Sequence, residues 1–358
     1  MLTPLCYDLL ADFDPQAIPI QRHELLQNDI TNGSSVFDGN LLKTLPAMRF
    51  PHFNRRTGLS WWHNAVRPAE SPELILAQEQ RIADLLGSDG SLAVAKIGTT
   101  ELMALEYFDR WIQLPWPPSA SWWRPAQRLY HTAGFFPIKR KLFFRWRDTY
   151  LHSLRSLDYV PQWQTPETFL AAYEDRALSS YVPQATRITL QALHPIHPLA
   201  SWLNVLCQKK WLVITPFKAT IQHQLPLLPR LGIYPENLNP LLSLLCDNCM
   251  IIRCPQLPYL EIPRHQDWFE ALEDLKSQME SQLFDVALIG AGAWSVPLAA
   301  HAKHLGKKAL HLGGQLQLLF GIKGGRWEKA GIYNEFWTRP LPQERPQNFK
   351  LMEKGAYW

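Results

Sequence analysis

Between Phe284 and Gln315 the chain reads FDVALIGAGAWSVPLAAHAKHLGKKALHLGGQ. Val286 to Ile289 is a short apolar run that stops at glycines, as a buried parallel strand does. Gly290 and Gly292 permit a tight turn with positive φ or the close approach of a ligand. Leu298 to Leu305 continues at helical spacing, and Gly306 follows where a helix C-cap is expected. Lys308 to Leu312 is a second short strand, again ending in a glycine pair. Strand, glycine turn, helix and strand make a βαβ unit, whose helix N-terminus offers unpaired N–H groups to an anion such as phosphate. An ordinary βαβ unit without a ligand reads the same way, because a short glycine turn is a weak motif.

The remainder of the chain extends this unit into a sheet. From Pro72, LILAQEQRIADLLG is an amphipathic helix ending near Gly87. Ser91 to Ile97 is a strand, Gly98-Thr99-Thr100-Glu101 a turn, and LMALEYFDRW a helix with Glu101 in its first turn, where the dipole favours an acid. Residues 113–138, rich in Pro and Trp, read as a long non-repeating connection, either a binding loop or irregular packing. Helices are expected at 139–157 and 166–174. The basic and aromatic run KRKLFFRWR at 139–147 reads as a solvated helix face, with lipid headgroups or a phosphorylated acceptor as the alternative contact. His194-Pro-Ile-His197-Pro reads as a rigid turn, with metal binding by its two histidines as the alternative. Lys210 to Pro216 and Cys249 to Arg253 are further strands, and Gln266 to Gln282 an amphipathic helix.

Strands alternating with helices predict an α/β, Rossmann-like and mainly parallel sheet covered on both faces. It occupies residues 71–358, after an irregular extension over 1–70 that contains the Trp61-Trp62 pair. Ligands of such sheets bind at the carboxyl ends of strands. Gly98–Glu101, Thr215–Lys218, Gly290–Ser295 and His311–Gln315 all lie at strand exits. The candidate site is therefore Gly98, Thr99, Thr100, Glu101, Lys218, Gly290, Ala291, Gly292, Ser295, His311, Gly313, Gly314 and Gln315. Beyond it, Lys323, Arg326, Trp327 and Arg339 read as a flap with positive charge and stacking surface, suited to a diphosphate. The other reading is a C-terminal segment anchored by Trp327, Trp337 and Trp358.

Composition narrows the partners. With 358 residues and a net charge of +4, the chain can bury a large core but lacks a nucleic-acid footprint. No segment has the ~20 apolar residues of a membrane span, so only peripheral membrane contact is expected. The start MLTPLCYDLLADFDPQ carries acids before its apolar residues, unlike a signal peptide, which makes a cytoplasmic location the expectation. Five cysteines form no disulfide framework. Cys246, Cys249, Cys254 and His265 lack the second paired knuckle of a zinc site and read as buried thiols beside a strand.

The C-terminal run VALIGAGAWSVPLAAHAKHLGKKALHLGGQLQLLFGIKGGRW, with AVAKIGTTE, TAGFFP and WLVITPFKATI, resembles bacterial GT-D-type glycosyltransferases and their uncharacterised relatives, over residues 75–358. The resemblance implies a GT-D-like fold and a nucleotide-sugar donor with Mn2+ or Mg2+. In that family the first strand runs into Arg-Phe-Gly-Asp-Gly-Glu, whose acidic pair serves the metal-bound donor. Here Lys96 replaces the arginine, Gly98 and Glu101 match, and Thr99 stands in the aspartate's place. One carboxylate and a hydroxyl hold a hard cation far more weakly than two carboxylates.

The leading expectation is a glycosyltransferase that moves a sugar from a nucleotide-sugar to a glycan or polysaccharide acceptor. Glu101 would be the general base or the single metal ligand. A non-catalytic sugar-nucleotide-binding module is the alternative. A dinucleotide-dependent oxidoreductase fits less well, because Ser295 replaces the third fingerprint glycine and His311 the ribose-binding acid.

Overall fold

In the computed structural model, residues 70–112, 122–163, 169–196, 202–352 and 355–358 are described. Nearly all of the 1–70 extension, part of the 113–138 connection and His197 lie outside them. Seven strands, β1 (Leu92–Ala95), β2 (Tyr159–Gln162), β3 (Thr186–Thr189), β4 (Trp211–Thr215), β5 (Cys249–Arg253), β6 (Val286–Ile289) and β7 (Lys308–His311), form one sheet in the order β3-β2-β1-β7-β6-β4-β5. Every pairing is parallel, with Ala95 opposite His311 and Ile289 opposite the same residue from the other side.

The strand residues alternate between two cores, one on each face. Ala93, Ala95, Leu212, Ile214, Ala287, Ile289 and Ala309 belong to one core. Leu92, Val94, Trp211, Val213, Val286, Leu288 and Leu310 belong to the other. The period of two sends neighbours to opposite faces, so an unbroken apolar run serves both. On the first face β1, β6 and β7 present mainly alanines, leaving room for the apolar side of Ser295–His304. Trp294, entering that helix, stacks on Trp268 at 6.1 Å and 9° and donates its indole N–H to the Trp268 carbonyl at 3.1 Å. Buried rings of this size contribute about 1.5–3 kcal/mol each.

Gly306, with φ of +74°, follows that helix as expected, in the left-handed conformation that favours glycine. Lys308 is a buried cation in a central strand. Its Nζ donates to the carbonyls of Leu85, Leu86 and Ser88, closing the end of the helix Pro72–Gly87. Burial lowers its pKa, and the carbonyls supply the negative dipole end that a cation favours.

The doubly covered α/β sheet stands as expected, with corrections in detail. Tyr159–Gln162 and Thr186–Thr189 are strands that the sequence reading lacked, because one contains Pro161 and the other is the half-exposed edge segment TRIT. Trp123–Ala133, within the expected irregular connection, is a helix with Pro125 in its first turn, where no amide is needed. The expected helices at 139–157 and 166–174 run over Arg140–Leu154 and Phe169–Tyr181. Of the thiols expected to be buried, Cys254 is buried and Cys246 exposed.

Candidate functional site

The site follows from where the chain goes on leaving the sheet. After β1 it enters Thr99–Ile112, whose Leu102, Ala104 and Leu105 pack in the first core. After the neighbouring strand β7 it enters Leu316–Leu319, which packs in the second core. Two adjacent strands whose connections diverge to opposite faces leave a crevice at their carboxyl ends, the usual ligand position in open α/β sheets. Lys96, Glu101, His311 and Gly313 gather there.

At the β1 exit the Glu101 side chain folds back over Gly98. A Cβ at Gly98 would lie 2.2 Å from Glu101 Oε2, so the carboxylate holds this position only over a glycine and would have to swing away from any larger residue. Glu101 and Thr99 are 8% and 7% exposed. Burial raises the Glu101 pKa, opposed by a hydrogen bond from its own backbone and by the charge of Lys96. Behind it, buried Tyr150 has its pKa pushed well up, by burial first and then by the Glu101 charge. The Thr100 hydroxyl pairs with that of Thr132 at 3.1 Å.

Lys96 ties this exit to the next. Its backbone carbonyl lies 3.0 Å from His311 Nδ1. A carbonyl only accepts, so Nδ1 carries the proton and Nε2 presents a lone pair. Burial, and then the Lys96 charge, hold the His311 pKa down to about 3, against the opposing effect of the hydrogen bond to the Lys96 backbone. A Cβ at Gly313, where φ is +57°, would stand 2.7 Å from Lys96 Cε, 3.0 Å from its Nζ and 3.7 Å from His311 Nε2. Trp163, beside the ammonium at 5.9 Å, donates its indole N–H to the Ile97 carbonyl at 3.0 Å.

The β6 exit is packed more tightly than its glycines imply. A Cβ on Gly292 would meet the Ala133 carbonyl oxygen at 2.6 Å, and one on Gly290 the Gly313 oxygen at 3.0 Å. Ser295 is fully buried, and its hydroxyl accepts the Ala291 N–H at 3.0 Å. Gly290 and Gly292 thus serve close backbone approach. Gln315 is 6% exposed. A Cβ at Gly314 would lie 3.3 Å from both the Arg326 guanidinium and the Tyr357 ring, which are 4.4 Å apart in a cation–π pair.

Lys218 stands apart, because β4 is separated from β7 by β6. The amides after it are taken internally. Glu344 accepts from Ala219 N (2.6 Å), Thr220 N (2.9 Å) and the Thr220 hydroxyl (2.5 Å). Lys323 lies 5.6 Å from the Tyr333 ring and Trp327 edge-on to His194 at 5.8 Å. Arg339 bonds the Trp358 carbonyl and Glu328. Trp337 and Trp358 are buried anchors of this C-terminal segment. Sequence reasoning missed Trp163, Tyr150, Tyr357 and Glu344. The strand before Trp163 was itself missed, and PQERPQ around Glu344 looks like any polar tail.

Cavities of about 510, 500 and 340 Å3 surround Lys218, and neither Lys96 nor Glu101 lines them. The β1–β7 site is defined instead by diverging connections and polar side chains. Its donors do not fit a divalent cation: one carboxylate, folded onto Gly98, lies within electrostatic reach of an ammonium.

No family model and no curated protein matches the chain. It is similar to two solved structures. One is described as the selenomethionine-substituted structure of domain of unknown function 1792. It is 12% identical, with 74% of this chain and 96% of that chain covered, at a TM-score of 0.35. The other is described as showing that the highly conserved domain of unknown function 1792 has a distinct glycosyltransferase fold. It is 13% identical, with 75% and 96% covered, at a TM-score of 0.31. Likeness at such TM-scores carries no weight for activity, and the architecture rests on the sheet order itself.

Proposed function

We propose that this chain is a nucleotide-sugar-dependent glycosyltransferase acting on a glycan or polysaccharide acceptor. The observation that carries the reading is Lys96 joining the β1 and β7 exits, with Glu101 on one side and His311 and Gly313 on the other. Transfer needs a base for the acceptor hydroxyl and positive charge for the departing diphosphate. Glu101, its proton affinity raised by burial, takes the hydroxyl proton as the acceptor oxygen bonds to the sugar's anomeric carbon. The bond from that carbon to the diphosphate breaks, and the nucleoside diphosphate leaves with the electron pair. Lys96 and the amides of Gly313 and Gly314, the first donors of a short helical turn, hold its charge. Neutral His311 holds the Lys96 backbone in place. Arg326 on Tyr357, with Trp327 nearby, forms the outer wall for the nucleotide.

Positive charge in this reading comes from Lys96 rather than Mn2+ or Mg2+. The same residues also suit a module that binds sugar nucleotides without turnover, as Thr99 in place of a second acid permits. A thermal-shift titration with nucleoside diphosphates and their sugars, with and without manganese, tests the reading. The melting temperature should rise in the wild type and stay unchanged in Lys96→Met. No response to any nucleoside diphosphate would overturn the assignment. Binding without diphosphate release in the presence of acceptors would leave the sensor.

A further inference from the structure

The β4 and β5 exits form a second crevice of the same kind. The chain after β4 packs in the second core through Phe217 and Ile221, and the helix Trp268–Glu280 after β5 packs in the first. Three strand spacings, roughly 14 Å, separate this crevice from the β1–β7 exits. Two of the cavities lie in it, about 500 and 340 Å3, and share Lys218, Arg253 and Glu261. Each is within the range of small-molecule sites.

The lining carries four cationic side chains, Lys218, Arg253, Arg264 and Arg345, against three carboxylates, Glu261, Asp274 and Glu344. Glu261 is held by Arg253 through bonds of 3.0 and 2.5 Å, Glu344 by the amides after Lys218, and Asp274 by His265 at 3.0 Å. Every lining carboxylate therefore has a partner. Lys218, Arg264 and Arg345 also line these cavities, and among the described residues none of the three makes a salt bridge. Gln256 lines the smaller cavity, is 5% exposed, and its Nε2 has no acceptor. His265 gives Asp274 its Nε2–H, and its Nδ1, on the same wall, has no partner.

We infer that the β4–β5 crevice binds a hydroxylated anion, a sugar bearing a carboxylate or a phosphate ester. The surplus positive charge and the Gln256 N–H call for anionic oxygens, while the unpartnered His265 Nδ1 calls for a hydroxyl, which can donate to it or accept from it. A neutral sugar leaves the surplus charge unmatched, and a bare anion brings no hydroxyl for His265. The site uses no residue of the β1–β7 cluster and stands independently of the proposed transferase reading.

The test is calorimetric titration of the full chain with glucuronate, glucose 6-phosphate, glucose and inorganic phosphate at matched ionic strength. Glucuronate or glucose 6-phosphate should bind, and the tighter of the two names the anion; glucose should not bind. Lys218→Glu with Arg264→Glu, both on exposed side chains, should weaken that binding at least tenfold. Gln256→Leu should weaken it in a protein that melts normally. The nucleotide-induced melting shift, which reads Lys96, should be unchanged in the charge variant. Binding untouched by the charge reversal, or inorganic phosphate binding as tightly as the sugar phosphate, would overturn the inference.

Discussion

The backbone carbonyl of Lys96 and Nδ1 of His311 meet at 3.0 Å across the exits of two neighbouring parallel strands. This bond sets the imidazole tautomer and brings the Lys96 side chain against Gly313. Through Lys96 the β1 turn with Glu101 and the β7 turn with its glycines become one polar cluster.

Under the proposed transferase reading, Glu101→Gln should reduce sugar transfer by at least about a hundredfold, the scale of losing a general base. Its fold should persist. Because burial raises the Glu101 pKa, the wild type gains stability below the unfolded pKa of Glu and loses it as pH rises through the folded one. The glutamine variant has no charge to bury. It should melt above the wild type at neutral pH and converge with it in acid, as a calorimetric pH series would show.

His311 has the opposite sign. With its pKa lowered from 6.5 to about 3, it contributes stability that is present above 6.5 and lost as pH falls toward 3. Each unit of separation corresponds to about 1.4 kcal/mol. His311→Asn keeps an N–H for the Lys96 carbonyl and has no proton to gain. Its denaturant midpoint should therefore fall less steeply than the wild type's between those pH values.

Gly313→Ala and Gly306→Ala separate backbone strain from collision. Both positions have positive φ, and alanine there costs about 1–2 kcal/mol. Around Gly306 nothing lies within 4 Å of the added Cβ, whereas at Gly313 it would press on Lys96 Cε at 2.7 Å. Urea unfolding should show the larger loss at Gly313. Nucleotide binding should weaken in that variant alone.

Glu344→Ala should destabilise the chain by about 2 kcal/mol, since it removes a carboxylate that accepts from two amides and a hydroxyl at a helix start. Glu344→Gln should recover part of the loss. Thermal melting of the two variants checks this.

Arg326→Ala should weaken nucleotide binding severalfold while leaving the melting temperature of the ligand-free protein within a degree or two, because the guanidinium is exposed and its stack on Tyr357 contributes about 0.5–1 kcal/mol. Equilibrium titration with a nucleoside diphosphate provides the measurement.

The central strands were legible because burial on both faces leaves an apolar run broken by glycines. Val286–Ile289 and Trp211–Thr215 carry that signal in their residues alone. Thr186–Thr189 does not, since an edge strand with two exposed residues has no such run. Within the site, Gly98, Glu101, His311 and Gly313 could be named from their places after strands. That Gly292 and Ser295 are packed against backbone, while Gly313 faces Lys96, could not.

The amino-acid order by itself determined the alternation of strand and helix, the parallel sheet and the rim on which polar turns gather, because those depend on local periodicity and on where the chain breaks. Tertiary structure decided which turns are neighbours. Strand order puts β7, distant in sequence, beside β1, so Lys96 meets His311, and the return of the C-terminal segment brings Glu344 to the helix start after Lys218. Contacts between segments so far apart leave no local pattern to read: they are set by how both faces of the sheet are covered.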